Sequence, residues 1–256
     1  MYDLSVGPDE RQSLLIDLLQ RDGRVEVAGA AARFGTAEMT VRRDLDVLVS
    51  RGVARRVRGG AVSLLMRGEE LPFSMRALEA NREKREIGRA AAALLADGEC
   101  VVLDSGTTAL EVARSLGGRR LTIMALSLHA ANAVSSHASP RLIMPGGEVR
   151  DGELALVGPL ALASLQAMRF DTALVSCCGL AGGVLTAYDL GDAAVKKAAM
   201  NSAARTVLVA ESAKFARSAM AVVCPANEVD TLVTDQGAPA DVVASLRLSG
   251  VEVVLV

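Results

Sequence analysis

Two groups of residues in this chain have types and spacings that could do chemistry. The first is a run of arginines, Arg42, Arg43, Arg55, Arg56 and Arg58, with Asp44 and Asp46 set among them. Guanidinium groups grip phosphate oxygens and pair bidentately with guanine edges, so such a run fits a nucleic acid. Residues 39 to 62 hold six arginines against two aspartates, while the whole chain has a net charge of -2. The positive field is therefore local, as expected when a small element meets phosphate and the bulk of the protein does not. The second group is Asp104-Ser105-Gly106-Thr107-Thr108, joined by Lys196 and Lys214 further on. Hydroxyls, a glycine and the free N–H groups of a helix's first turn can together hold a phosphate. The glycine spacing and Lys-Ser/Thr ending of a P-loop are missing, and a plain strand-to-helix cap is the competing reading. Lys196 stands beside Lys197 on an expected helix, where solvent exposure competes, so Lys214 is the stronger phosphate candidate.

The arginines need a scaffold. Val41, Leu45 and Leu48 recur at i, i+4 and i+7, one stripe of a helix that can bury against its neighbours. At about 100° per residue, Met39, Arg42 and Arg43 swing to the opposite side, a face that a major groove admits. Upstream, Leu14, Leu15, Leu18 and Leu19 predict a first helix over 9–21, ended by Gly23. Val25 and Val27 predict a very short strand, and a second helix follows over 28–34, with Gly35 as the turn. Thr36 is the expected N-cap of the third helix, and Glu38 favours its first turn. Gly52 breaks that helix, and 53–62 are expected to form a hairpin around Arg56 to Gly60. Three helices and a basic hairpin make a winged helix-turn-helix, whose natural partner is DNA.

Residues 63–82 show no clear period and read as a linker and lead-in. From 83 onward helices alternate with Val/Leu strands, the pattern of a mostly parallel sheet covered on both faces. Strands are expected over 100–103, 121–125, 141–144, 172–176, 206–210, 222–224, 231–234 and 251–256. Helices fall at 83–96, 107–116, 127–136, 158–168, 190–202 and 239–249. Such sheets bind ligands beyond their strand C-termini. Polar residues recur at those ends: Asp104 to Thr108, Ser127, Gly146, Gly147 and Arg150, Gly179, and Glu211, Ser212 and Lys214. The expected organisation is thus 1–62 for DNA, 63–82 as linker, and 83–256 for an α/β effector-binding and oligomerising domain.

Other chemistry is weakly supported. His129 and His137 lack cysteine or carboxylate company at metal-ligand spacing. The cysteines, Cys100, Cys177, Cys178 and Cys224, lack zinc or redox spacing, and reduced thiols of a cytoplasmic protein are expected. Apolar residues make up 51%, enough for a sizeable core, but Trp is absent, which argues against a carbohydrate-stacking platform. No stretch approaches the run of about 18 apolar residues that a membrane span needs.

At these residues the chain resembles the deoxyribose-operon repressor (DeoR) family of bacterial transcription regulators. The N-terminal likeness rests on Thr40-Val41-Arg42-Arg43-Asp44-Leu45, Leu48, Gly52, Arg55 and Gly59-Gly60-Ala61, with Arg58 where the family usually has histidine. It implies a DNA interface of Thr36, Met39, Thr40, Arg42, Arg43, Arg55, Arg56, Arg58, Gly59 and Gly60. The C-terminal likeness covers Asp104 to Thr108, Ser127-Leu128, Gly146-Gly147, Arg150, Gly158-Pro159, Gly179, Asp192 to Lys196, Met200, Ser212, Lys214-Phe215 and Thr234-Asp235. It implies a sensor related in fold to ribose-5-phosphate isomerase that binds phosphorylated sugars or related metabolites. The implied effector residues are Asp104, Ser105, Gly106, Thr107, Thr108, Ser127, Gly146, Gly147, Arg150, Gly179, Asp192, Lys196 and Lys214. Departures are Ala125-Leu126 where Thr-Asn is usual, Asp192 for glutamate and Glu211 for aspartate.

The expected function is a dimeric or tetrameric repressor of carbohydrate-utilisation genes, without cofactor or metal, that binds an operator duplex and is relieved by a phosphorylated sugar. A symmetric operator needs at least two copies, since one helix reads one half-site. The rival is an active sugar-phosphate isomerase with a DNA-binding head, for which Asp104, Asp192, Glu211 and Lys214 are conceivable acid, base and electrostatic groups.

Overall fold

A computed structural model describes residues 7–64 and 70–256. The chain divides into two compact units, one reaching to Glu79 and the other running from Ala80 to Val256.

The first unit opens with α1 (Pro8–Asp22), β1 (Arg24–Glu26), α2 (Val27–Phe34) and α3 (Glu38–Ser50), followed by β2 (Ala54–Val57) and β3 (Gly60–Ser63). Proline at the first position starts α1 without losing a helical hydrogen bond, and Gly23, in the left-handed region, ends it. The strands form an antiparallel sheet in the order β1-β3-β2. Leu15, Leu19, Val25, Phe34, Val41, Leu45 and Leu48 meet in one core. Within the stretch expected to be linker, a short helix, α4 (Phe73–Arg76), sends Met75 into that same core together with Leu71. Thr36 does not cap α3; the N-cap position falls on Ala37, whose side chain offers no acceptor. Gly35 and Thr36 both donate backbone bonds to the Ala31 carbonyl, which carries the turn one residue further than expected.

The second unit contains α5 (Asn81–Ala93), β4 (Cys100–Leu103), α6 (Thr107–Ser115), β5 (Thr122–Ala125), α7 (Leu128–Ser135) and β6 (Arg141–Ile143). Then come β7 (Glu148–Arg150), β8 (Ala155–Val157), α8 (Pro159–Gln166), β9 (Phe170–Ser176), β10 (Val184–Ala187) and α9 (Leu190–Asn201). The chain closes with β11 (Ala203–Val209), β12 (Ala221–Pro225), β13 (Thr231–Thr234), α10 (Ala240–Leu248) and β14 (Glu252–Leu255). Seven strands make one sheet in the order β14-β13-β11-β9-β4-β5-β6, and every pair in it is parallel. Alternation sorts the core. Val101 and Leu103 of β4 face α5, α6 and α7, while Val102 faces α8 and α9. Two small antiparallel pairs, β7 with β8 and β10 with β12, lie outside this sheet.

The helices α5 and α6 approach until their backbones touch. A Cβ on Gly88 would stand 2.6 Å from the Glu111 carbonyl carbon, so only glycine fits there. The same argument applies to Gly60, where a Cβ would lie 1.9 Å from the Val25 carbonyl oxygen across the β1–β3 pair. Gly60→Ala should therefore lower the unfolding free energy of the first unit by about 1–3 kcal/mol, as overpacking does. Urea unfolding followed by circular dichroism checks this, and a wild-type midpoint would refute it.

Candidate nucleic-acid interface and ligand crevice

On α3 the side chains divide sharply. Val41, Leu45 and Leu48 are sealed in the core, whereas Met39, Arg42 and Arg43 are exposed and Thr40 is half-buried. Arg42 leans on Glu38 at 2.8 Å, an exposed i,i+4 pair, and Arg43 has no ion pair among the described residues. Because Ala37 provides no side-chain cap, the first turn of α3 keeps backbone N–H groups open to an anion. In the β2–β3 hairpin Arg55, Arg58 and Gly59 are exposed, and Gly59 takes the left-handed turn position. Arg56 is half-buried beside Asp46 of α3, at 3.3 Å. Gly60 is buried against β1, so its lack of a side chain already has a packing reason. Thr36 is half-buried in the α2–α3 turn.

Asp44, which stands among the arginines in the sequence, does not join them at the surface. It is buried instead, and its carboxylate receives Arg11 Nε at 2.5 Å and Nη2 at 3.3 Å. Arg11 went unnoticed in the sequence, yet it lies four residues before Leu15 and eight before Leu19, on the buried stripe of α1.

In the second unit the strand order changes direction between β4 and β9, the place where a parallel sheet opens a crevice. Asp104, one residue past β4, fills it. Its Oδ2 accepts from the Ser176 backbone N–H at 2.7 Å, from Ser176 Oγ at 2.9 Å and from Lys196 Nζ at 2.5 Å. Lys196 also lies 3.6 Å from Asp192, one turn earlier on α9, and Ser105 Oγ donates to Asp192 at 3.4 Å. The solvent-exposed alternative for Lys196 is thus wrong: it is 2 % exposed, and its neighbour Lys197 takes the outer face. Burial works against its charge, but Asp104 and Asp192 outweigh that and hold its ammonium well above the usual lysine range.

A second cluster stands beside the first. Glu211 Oε2 accepts from Thr108 Oγ1 at 3.0 Å, and Oε1 lies 3.5 Å from Lys214 Nζ and 3.7 Å from Lys84 Nζ. Lys84 is 2 % exposed and was not foreseen, although it precedes Ile87 and Ala91 on the apolar stripe of α5. Burial penalises the Glu211 carboxylate, but Lys214 and Lys84 hold its pKa down at about 2. Between the clusters α6 begins at Gly106, in the left-handed region, with no side chain capping its N–H groups. Thr107 and Thr108 of that first turn are buried.

The remaining candidates frame this end of the sheet. Ser127 is spent on capping α7 through the Ala130 N–H at 3.1 Å. Gly146 and Gly147 form the exposed turn into β7, which carries Arg150 and pairs with β8; Ala155 of β8 bridges to Ser127. Gly179 packs against backbone, since a Cβ there would meet the Arg217 carbonyl at 2.3 Å. Cys177 is buried, and burial pushes its thiol up to about 12, which rules out a ready thiolate. His137 lies 3.3 Å from the Ala113 carbonyl through Nε2. Among the described residues no group of His, Cys, Asp and Glu is arranged to hold a metal, and no helix is long and apolar enough to cross a membrane.

A profile described as the DeoR-like helix-turn-helix domain matches residues 11–65, and one described as the DeoR C terminal sensor domain matches 79–236. The chain is 33% identical to a candidate aga operon transcriptional repressor of Escherichia coli O157:H7, over 98% of this chain and 94% of that protein. It is 31% identical to the HTH-type transcriptional regulator GlpR of Haloferax volcanii, covering 96% and 97%. With the lactose phosphotransferase system repressor of Lactococcus lactis subsp. lactis it shares 29% identity, covering 88% and 90%. Ribose 5-phosphate isomerase A from Methanocaldococcus jannaschii aligns with a TM-score of 0.39 and 18% identity, over 52% of this chain and 53% of that one.

The Glu211 cluster sets a pH dependence. A carboxylate whose folded pKa lies below its unfolded value of about 4.5 stabilises the fold above that value and loses this as pH falls toward about 2. Glu211→Gln should unfold more readily than wild type at pH 7, with the gap closing between pH about 4.5 and 2. Denaturant titrations across that range test it, and a gap that stays constant with pH would contradict the pairing.

Proposed function

We propose, from the premise that this chain belongs to the DeoR family of sequence-specific DNA-binding transcriptional regulators, that it is a repressor whose hold on its operator is released by a phosphorylated sugar. The observation that carries the proposal is the open first turn of α6, flanked by buried Lys84, Lys196 and Lys214 at the switch point of the sheet. An anion arriving there gains the Thr107 hydroxyl, backbone donors and a helix N-terminus at once. The three lysines are already neutralised by Asp104, Asp192 and Glu211, so a phosphate must compete with carboxylates for them. Such competition gives the ligand a way to favour one internal pairing over another, and only a difference in affinity between two states can shift a population. The relatives' names support repression, and one couples it to a sugar phosphotransferase system. Pairing of two copies on a symmetric operator, within the cytoplasm, belongs to the same proposal.

Operator binding titrated against a panel of pentose and hexose phosphates tests the whole scheme. Release by one of them supports it; indifference to all of them would leave DNA binding standing and remove the sensor role. Thr107→Val and Lys214→Ala should leave effector-free DNA binding near wild type and weaken the active sugar phosphate at least about tenfold, the loss of roughly one charge-assisted hydrogen bond. Calorimetric titration decides, and wild-type affinity in both folded variants would move the phosphate elsewhere.

On the DNA side, Arg43→Ala should cost about 1–3 kcal/mol and relax preference at one base pair if Arg43 reads guanine. If it grips phosphate, binding falls on all sequences alike and the salt slope shrinks by about one. Gel-shift titrations at several salt concentrations separate these outcomes, and unchanged affinity with unchanged slope would remove Arg43 from the interface.

A further inference from the structure

Asp44 lies inside the buried stripe of α3, three residues after Val41 and four before Leu48. Its two oxygens take Nε and Nη2 of Arg11 on α1, and the two side chains are 9% and 8% exposed. Stability alone does not explain an ion pair in that position. Both charges lose their water, and apolar side chains of similar volume often hold a core as well or better. Geometry does explain it. Contacts among Val, Leu and Ile re-form after a small rotation or slide, whereas a two-pronged guanidinium–carboxylate contact accepts one relative placement. Arg43 is the residue before Asp44, and Met39 and Arg42 share its exposed face, so whatever fixes Asp44 fixes the direction in which all three leave the unit.

We infer that Arg11 and Asp44 are a positioning pair for DNA reading. Neither touches a base. They lock the rotation of α3 about its own axis against α1, and sequence discrimination depends on that lock more than folding does. The inference rests on α3 being the helix that reads DNA.

The test uses the full chain and a duplex selected by the wild-type protein from a random pool, with a scrambled duplex as reference. Three proteins are compared by binding to both duplexes and by thermal melting: wild type, the double variant Arg11→Met with Asp44→Leu, and Arg11→Lys, which keeps the charge but loses the fork. The double variant should melt at or above the wild-type temperature and bind the scrambled duplex with wild-type affinity and salt slope. Its preference for the selected duplex should fall about tenfold, the size of one well-placed base contact. Arg11→Lys should fall part of the way. An unchanged preference in both variants overturns the inference, and so does an equal loss on both duplexes. If the double variant does not fold, Arg11→Lys decides alone: a reduced preference supports the lock and an unchanged one removes it. A wild-type chain that selects no sequence would instead defeat the reading of α3, and the lock with it.

Discussion

An ammonium group taken out of water must find a negative partner or lose its proton, and the second unit encloses three of them. Lys84, Lys196 and Lys214 come from α5, α9 and the turn after β11, and both helices pack against β11. Their partners Asp104, Asp192 and Glu211 fix where those elements can sit, because removing one member of a buried pair typically costs about 3–5 kcal/mol. The strand order does the rest. Beside the β4–β9 pair Asp104 takes a backbone N–H, a hydroxyl and an ammonium together.

Much of this was legible in the residues and some was not, for physical reasons that can be named. The stripe of Val41, Leu45 and Leu48 and the alternation of Val/Leu strands with helices follow from burial, and burial is what periodicity reports. Charged residues that occupy a stripe position escape that reading. Arg11, Asp44 and Lys84 each sit where an apolar residue would be counted as core, and each is stabilised by a partner more than 30 positions away in the sequence. Position within the stripe was the available signal. The strands β7, β8 and β10 were missed because they are three or four residues long, too short for a period of two to stand out beside glycines. The segment bearing Leu71 and Met75 looked like linker because a four-residue helix has no period to show.

The arginine face of the first unit and the crevice of the second handle charge in opposite ways. In the first, most arginines stay at the surface with weak partners or none, where a pair with Glu38 or Asp46 is worth about 0–1 kcal/mol and is readily exchanged for phosphate. In the crevice of the second, the lysines are enclosed and already satisfied, so an incoming anion must displace something. A surface of the first kind binds quickly and answers to salt; a crevice of the second kind is selective and answers to shape.

The contact at Gly88 has a mechanical consequence. With the backbone of α5 pressed on the carbonyl of Glu111, the two helices have no side-chain layer between them to act as a bearing. At that point the two backbones bear directly on one another, while Ile87 and Ala91 pack with Ala109 and Val112 on either side. The first turn of α6 lies between the charge clusters, and in the first turn of α5 Lys84 reaches Glu211. A shift in the first turn of α6 would therefore have to carry the adjoining stretch of α5 with it.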